Sequence, residues 1–443
     1  MPNGSTRYRN IVIFLASLVF YAWLEPVYVV ILILQCISSW TFGLYIDKYR
    51  GSKISKILMF CSVSVDISVL LVFKYADFFI DNVNFFFNAE IGLLSLLLPV
   101  GISFYTFQNL SYTIDLYKGR IEVNRNLIDF STYVTMFPML VAGPIVRYAT
   151  VETLLAKRKH SMEDIAIGSR RFVIGLAKKI LIANVMGELA AIYGYSSENS
   201  VLFAWMYVLA YALQIYFDFS GYSDMAIGLA RIFGFRLLEN FNYPYIAKSI
   251  TDFWRRWHIS LSTWFRDYIY FPMGGSRTSS KRHIFNLIFV WFLTGFWHGA
   301  DWNFIIWGLY FAVVLLLEKY VLHKVLEKAP KFICHGYVMF IVLVSWVFFD
   351  AASLSAIGET LSQMFGIGVS GFAGTESLYY LRSYAVPIVI GIIGSTQLPK
   401  ILAYKLKSKY LVVAEPVAIA ALLIVSTAYL VDGSFNPFIY FRF

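Results

Sequence analysis

The chain has 443 residues, 59% of them apolar, 19% aromatic and 14% charged, with a mean hydropathy of +0.64. Soluble globular domains carry about 45–50% apolar and about 25% charged residues, so the composition excludes a water-soluble enzyme and describes a polytopic membrane protein. The formal charge of +10 then belongs to loop Lys and Arg at a membrane surface, not to a nucleic-acid interface.

A helix needs about twenty apolar residues to cross the hydrocarbon core. Apolar stretches lie near 10–25, 27–46, 57–74, 91–112, 172–195, 199–233, 284–298, 302–321, 334–350, 383–399 and 411–431. They predict an all-α membrane fold of about 11 spanning helices. The first and the 284–298 stretch are short for a span. No small-residue cleavage site follows the first, and Glu25-Pro26 leads straight into the second, so it reads as a span and not a leader. The stretch 126–147 is apolar but broken by Pro138, Gly143 and Pro144, and reads as re-entrant. Such irregular backbone survives at membrane depth only inside protein or along a water-filled cavity. With no repeat, linker or low-complexity tract, residues 1–443 read as one membrane domain.

Loop charge sets the orientation. Arg7 and Arg9, the 47–56 loop, Lys118/Arg120/Arg125, 157–159, Arg170/Arg171, the 248–282 loop, 319–331 and 400–409 are basic, whereas 75–90, 196–200 and 351–377 are acidic or nearly neutral. With 126–147 re-entrant, every basic loop falls on one side, which is the cytoplasmic one. His258 is then expected at the cytoplasmic surface. His298, at the far end of a short helix, is expected in the membrane interior or nearer the outer leaflet.

The chemistry concentrates in three places. The first is Leu293-Thr294-Gly295-Phe296-Trp297-His298-Gly299-Ala300-Asp301-Trp302, where an ionisable ring sits in an apolar, tryptophan-rich run. Such a residue in a span marks a functional site by default, and imidazole is the usual general base at neutral pH. The pattern equally suits a histidine that packs two helices through a hydrogen bond. The second is the basic, aromatic segment 252–275. It reads either as an interfacial anchor or as a funnel for an anionic acyl donor such as a coenzyme A thioester, with Arg255, Arg256, Trp257 and Arg266 as its contacts. The third is 214–224, where helical spacing puts Asp218 and Tyr222 on one face and Ser220 and Asp224 on another. That set is too polar to face lipid and suits a polar cavity wall or a helix-to-helix hydrogen-bond network.

Weaker features complete the reading. Gln108, Asn109, Ser111, Tyr112 and Asp115 form a polar stripe, and Asn240-Phe241-Asn242-Tyr243-Pro244 a turn. Asp66, alone in its span, is expected to pair with another helix. Cys36, Cys61 and Cys334 lie far apart in or next to apolar runs, as small buried hydrophobes do. His160, His283, His323 and His335 receive no role. Neither a phosphate-binding glycine loop, an HExxH metal motif nor a GxSxG elbow occurs, so no metal is expected.

Several long strings in order resemble the membrane-bound O-acyltransferase family, in particular the bacterial branch typified by the alginate O-acetyltransferase membrane subunit. They are Leu98-Pro99-Val100-Gly101-Ile102-Ser103-Phe104-Tyr105-Thr106-Phe107-Gln108, then Val141-Ala142-Gly143-Pro144-Ile145-Val146-Arg147-Tyr148, followed by 216–228, 239–245, 252–275 and 294–310. The closing Asn436-Pro437-Phe438-Ile439-Tyr440-Phe441-Arg442-Phe443 is similar as well. Members of that branch carry a further apolar segment ahead of the part matching Tyr8 to Pro26. Only nine residues precede Asn10 here, which points to a missing peripheral helix or a misassigned start.

The resemblance implies a ring of tilted and partly re-entrant helices around a tunnel, with His298 as catalytic histidine and His258 as the second family histidine. Gln108, Trp297 and Asn303, with the Asp218–Asp224 group, are expected to line the tunnel. The implied activity is transfer of an acetyl group from a cytoplasmic thioester, acetyl-coenzyme A or a similar donor, to a polysaccharide hydroxyl or a relay partner protein outside the bacterial inner membrane. An SGNH-type acetyltransferase is the implied extracytoplasmic partner, and no tightly bound cofactor is expected. A peptidoglycan O-acetylase and a teichoic-acid D-alanyl transferase are the alternatives within the class. A transporter of lipid-linked sugars is the alternative outside it.

Overall fold

Helices follow the apolar runs, with loops where charge and glycine accumulate. The computed structural model describes residues 6–405, 411–433 and Phe438. The rest of the closing string 436–443 lies outside the described residues. Where the sequence reads as one domain, the helices gather into two compact units, Met1–Ser169 with Ala226–Leu238 and Arg170–Met225 with Glu239–Phe443.

The first unit starts with α1 (Thr6–Leu24), α2 (Val29–Lys48) and α3 (Lys53–Leu70), the last capped by the Ser52 side chain on the Ser55 amide. A π-helical turn, Leu71–Tyr75, carries α3 into α4 (Ala76–Phe87). Asp66 pairs across helices as expected, accepting from Ser39 Oγ. Cys36 is buried, but Cys61 is exposed, against expectation.

Residues 91–101 correct the sequence reading, which starts a spanning helix at 91. The Asp77 carboxylate accepts the Leu94 and Ser95 amides at 2.7 and 3.0 Å, and Asn84 exchanges two hydrogen bonds with Ile91. With backbone groups held by side chains, the chain needs no helical ladder there. Pro99 and Gly101, whose φ is +78°, postpone α5 to Ile102–Tyr117. A Cβ on Gly101 would stand 2.2 Å from the Leu140 carbonyl oxygen. Then come α6 (Leu127–Thr135), α7 (Phe137–Leu140) and α8 (Tyr148–Ala156). Their break at Met136, just ahead of Pro138, fits the irregular backbone expected over 126–147.

Next is α9 (Met162–Ala177), which contributes to both units and runs through a π-helical segment, Lys178–Ala183, into α10 (Asn184–Tyr195). The 32-residue α11 (Val201–Ile232) also contributes to both. In the second unit, short helices α12 (Ile250–Arg256) and α13 (Ile259–Phe265) meet at His258, and a π-helical segment, Arg266–Tyr270, follows. Then α14 (Ser280–His298) and α15 (Trp302–Leu317) form a hairpin, and the π-helical segment Glu318–Leu322 leads into α16 (His323–Lys328). The unit ends with α17 (Lys331–Asp350), α18 (Leu354–Met364), α19 (Thr375–Gly394), α20 (Leu398–Lys405) and α21 (Leu411–Asp432).

Seven helical runs among the described residues are long and apolar enough to cross a membrane. The predicted total of about 11 is not reached. The stretches near 10–25, 172–195 and 284–298 are helical but carry polar or charged residues, and 91–112 is helical only from Ile102.

The hairpin α14–α15 is the tightest crossing in the second unit. A Cβ on Gly295 would lie 2.2 Å from the Phe304 carbonyl oxygen, and one on Gly308 equally close to that of Trp291. Small residues let membrane helices approach to backbone contact. Gly308→Ala is therefore expected to cost about 1–3 kcal/mol and to lower the thermal unfolding midpoint in detergent. Gly336→Ala, which meets nothing within 4 Å, is the control; equal midpoints would show that the hairpin does not need the contact.

Candidate active site

The α14–α15 contact leaves His298 at the last turn of α14, in the aromatic core of the second unit. Its ring lies 5.0 Å from Trp297, 5.0 Å from Trp307 and 5.2 Å from Phe349, centroid to centroid. Gly299 allows this: a Cβ there would fall 2.2 Å from the Phe304 ring. The imidazole is thus held among apolar rings, and only its two nitrogens carry polarity.

His258 reaches the same core from the other sequence segment. It has φ +42°, the left-handed conformation rare for a side-chain-bearing residue, and it is fully buried. Phe219, Phe241 and Trp297 surround the ring, at 4.7, 6.4 and 6.1 Å. Trp297 touches both histidines. Burial pushes the His258 imidazole down to about 3, so it is neutral at physiological pH. Its Nδ1 lies 3.2 Å from Asn240 Oδ1.

Beside this core the second unit holds a cavity of about 820 Å³. Trp254, Leu261, Phe265, Leu287, Val290 and Trp291 make it apolar, and Thr294, one turn before His298, lies in its wall. Exposed Lys248, Arg255, Arg266 and Lys319 line it too, together with exposed Glu327 and buried Glu318. Of the four predicted donor contacts, Arg255 and Arg266 line the cavity and two do not. Arg256 is spent on Asp252 (2.8 Å) and the Asn242 carbonyl, and Trp257 is core, packed on Phe241, Phe253 and Trp346. Arg266 is paired with Asp267 at 2.7 Å.

Two of the cavity's walls are π-helical, a geometry frequent at functional sites. Tyr270 and Tyr320, one from each, bracket the buried His283, with hydroxyls 3.1 Å from Nε2 and 2.9 Å from Nδ1. Lys319 Nζ donates to the same Nε2 at 3.1 Å. Burial first, then the Lys319 charge, holds this imidazole below its usual value. His283 and Lys319 drew no role from the sequence; their spacing from the other cavity residues hid them.

The polar set on α11 is engaged by cations. Lys179 pairs with Asp218 at 2.7 Å, while Lys178 and Arg171 hold Asp224 at 2.6 and 2.8 Å. Close approach at Gly175 and Gly221, each 2.5–2.7 Å by a hypothetical Cβ from the other's carbonyl oxygen, brings these helices together. Tyr222 stacks on Phe438 at 4.9 Å, and Ser220 is buried. Asn303 ties α15 to the end of α17, donating to the Ala351 carbonyl at 2.9 Å. Gln108 belongs to the first unit, where it is buried and its carbonyl accepts from Tyr133 and Ser111. Among the described residues no three His, Cys, Asp or Glu side chains converge as a metal site.

Residues 122–358 match the MBOAT, membrane-bound O-acyltransferase, family. The chain belongs to that family and is a multi-pass membrane O-acyltransferase. It is 37% identical to the probable alginate O-acetylase AlgI of Azotobacter vinelandii, over 99% of this chain and 95% of that protein. Identity to the protein of the same name from Pseudomonas aeruginosa is 40%, over 82% and 71%. The peptidoglycan O-acetyltransferase of Helicobacter pylori is 36% identical, over 80% and 74%.

The Lys179–Asp218 pair is expected to be structural. Removing one partner leaves a buried charge, a loss of about 3–5 kcal/mol, so Asp218→Ala should depress the unfolding midpoint more than Asp218→Leu combined with Lys179→Met. An Asp218→Ala protein that unfolds like wild type would return Asp218 to the list of cavity groups.

Proposed function

We propose that this enzyme transfers an acetyl group from a thioester donor on the cytoplasmic side of the bacterial inner membrane to a hydroxyl of a polysaccharide outside it. The observation that carries the reading is the pair of histidines, both buried against Trp297 in one aromatic core. The nearby cavity supports a donor that is apolar at its acyl end and anionic at the other, as acetyl-coenzyme A is. Arg255, Arg266, Lys248 and Lys319 suit its phosphates, and the tryptophan-lined interior suits the pantetheine arm.

In this reading the acceptor oxygen attacks the thioester carbonyl while His298 takes the hydroxyl proton. The tetrahedral adduct collapses with loss of the thiolate, which recovers that proton from His298. An ester and a free thiol result. General-base assistance of this kind contributes about 10²–10⁴-fold. The aromatic cage around His298 fixes the ring and excludes bulk water, which would otherwise compete as acceptor. The acceptor hydroxyl belongs to the polysaccharide itself or to an SGNH-type partner outside the membrane that passes the acetyl group on to the glycan.

Support for a polysaccharide acceptor comes from relatives named for alginate. A second reading, with peptidoglycan as acceptor, draws on the Helicobacter pylori relative. Base-releasable acetate should be measured on surface polysaccharide and on purified peptidoglycan, in cells with wild-type protein or His298→Ala at matched membrane levels. Ester on one of the two glycans should fall to the level of cells lacking the protein. Unchanged acetate in both, with released D-alanine lost instead, would replace acetyl by D-alanyl transfer.

A further inference from the structure

We propose that Asn240 is a positioning residue that fixes His258 as the Nδ1–H tautomer and so leaves Nε2 as a hydrogen-bond acceptor inside the core. The inference rests on the reading of His258 as part of the reaction site. Asn240 is 1% exposed and His258 0%, so water does not choose the tautomer.

The assignment follows from what can donate. Asn240 Oδ1 lies 3.2 Å from the Ser260 backbone nitrogen, a group that only donates, so the atom there is the amide oxygen. The Ser260 hydroxyl donates to it as well, at 2.8 Å. Asn240 Nδ2, on the other side, donates to Ser223 Oγ at 3.1 Å, a hydroxyl that accepts in this orientation. A carbonyl-type oxygen cannot donate, so the imidazole nitrogen 3.2 Å from it, Nδ1, must carry the proton. The neutral ring has one proton to place, and Nε2 keeps its lone pair. Nε2 is buried and has no hydrogen-bond partner among the described residues.

The backbone is arranged around the same residue. The Asn240 carbonyl accepts the Ile259 amide at 2.9 Å, next to the left-handed His258. Asn240 thus holds residues 258, 259 and 260 together. A left-handed conformation at a residue other than glycine persists only where its surroundings impose it, and this amide supplies both the backbone and the side-chain restraint. The buried acceptor, presented by a neutral ring, suits a hydroxyl or thiol proton and not a carboxylate or phosphate.

The test has a spectroscopic arm and a kinetic arm. With ring-¹⁵N histidine in detergent-solubilised wild-type protein, the two-bond nitrogen–proton pattern distinguishes the tautomers, and loss of a signal in His258→Gln assigns it. The expected pattern for the signal so assigned is Nδ1–H; an Nε2–H pattern for it in wild type overturns the inference. In parallel, kcat and KM for acetyl-coenzyme A are compared for wild type, Asn240→Ala, Asn240→Asp, Ser223→Ala and His258→Ala. Loss of the orienting partner is expected to lower kcat about tenfold to a hundredfold in Asn240→Ala, with KM within twofold. Asn240→Asp, which keeps the acceptor oxygen, should recover part of the rate, and Ser223→Ala, which leaves Asn240 Oδ1 in place, should lower kcat less than Asn240→Ala does. Wild-type kcat in Asn240→Ala alongside an inactive His258→Ala overturns the role of Asn240 alone. Wild-type kcat in His258→Ala overturns the reading of His258 beneath it.

Discussion

Two glycines decide where His298 stands. Gly295 and Gly308 let α14 and α15 meet backbone to backbone, with a hypothetical Cβ on either only 2.2 Å from a carbonyl oxygen of the opposite helix. Within lipid there is no hydrophobic gain from pressing two helices together, so dispersion and close fit must hold them. Because Gly295 is one turn from the end of α14, the closeness of that fit fixes the depth and direction of the residues after it. Trp297 and His298 then fall among Trp307 and Phe349, which come from the partner helix and from α17. The aromatic cage is a consequence of the helix crossing.

The electrostatics follow the same logic of enclosure. Charges inside the second unit are compensated within it: Lys179 by Asp218, Lys178 and Arg171 by Asp224. Glu318 is buried and takes up the amides of Ile250 and Thr251 at the start of α12. His258, by contrast, sits among rings, where a neutral imidazole is the form the surroundings tolerate. Lys248 and Arg255, which meet no carboxylate among the described residues, line the cavity.

Much of this is legible in the sequence, and the failures have physical causes. The apolar periodicity gives the helices, and Trp297-His298-Gly299 stands out because a titratable ring in an apolar run is costly. The segment 91–101 misleads because its residues are as apolar as a span, and the side chains that hold it, Asp77 and Asn84, lie back along the chain. His258 reads as part of a basic loop, and nothing local shows that the turn at φ +42° sets its ring among Phe219, Phe241 and Trp297. Asp218 and Asp224 read as a cavity wall because their partners, Lys178, Lys179 and Arg171, sit on a different helix. Long-range pairing of this kind has no local signature.

The π-helical segment Glu318–Leu322 has a consequence for how the chain tolerates length change. Within three consecutive positions it sends Glu318 to cap α12 and Lys319 and Tyr320 to His283. A π turn holds one residue more than an α turn. Deleting a single residue there would restore the regular winding and turn everything beyond it by about 100° relative to what precedes. Cap, lysine and tyrosine would lose their targets together. A one-residue deletion in this turn should therefore be tolerated far less than the conservative replacement of any one of its side chains.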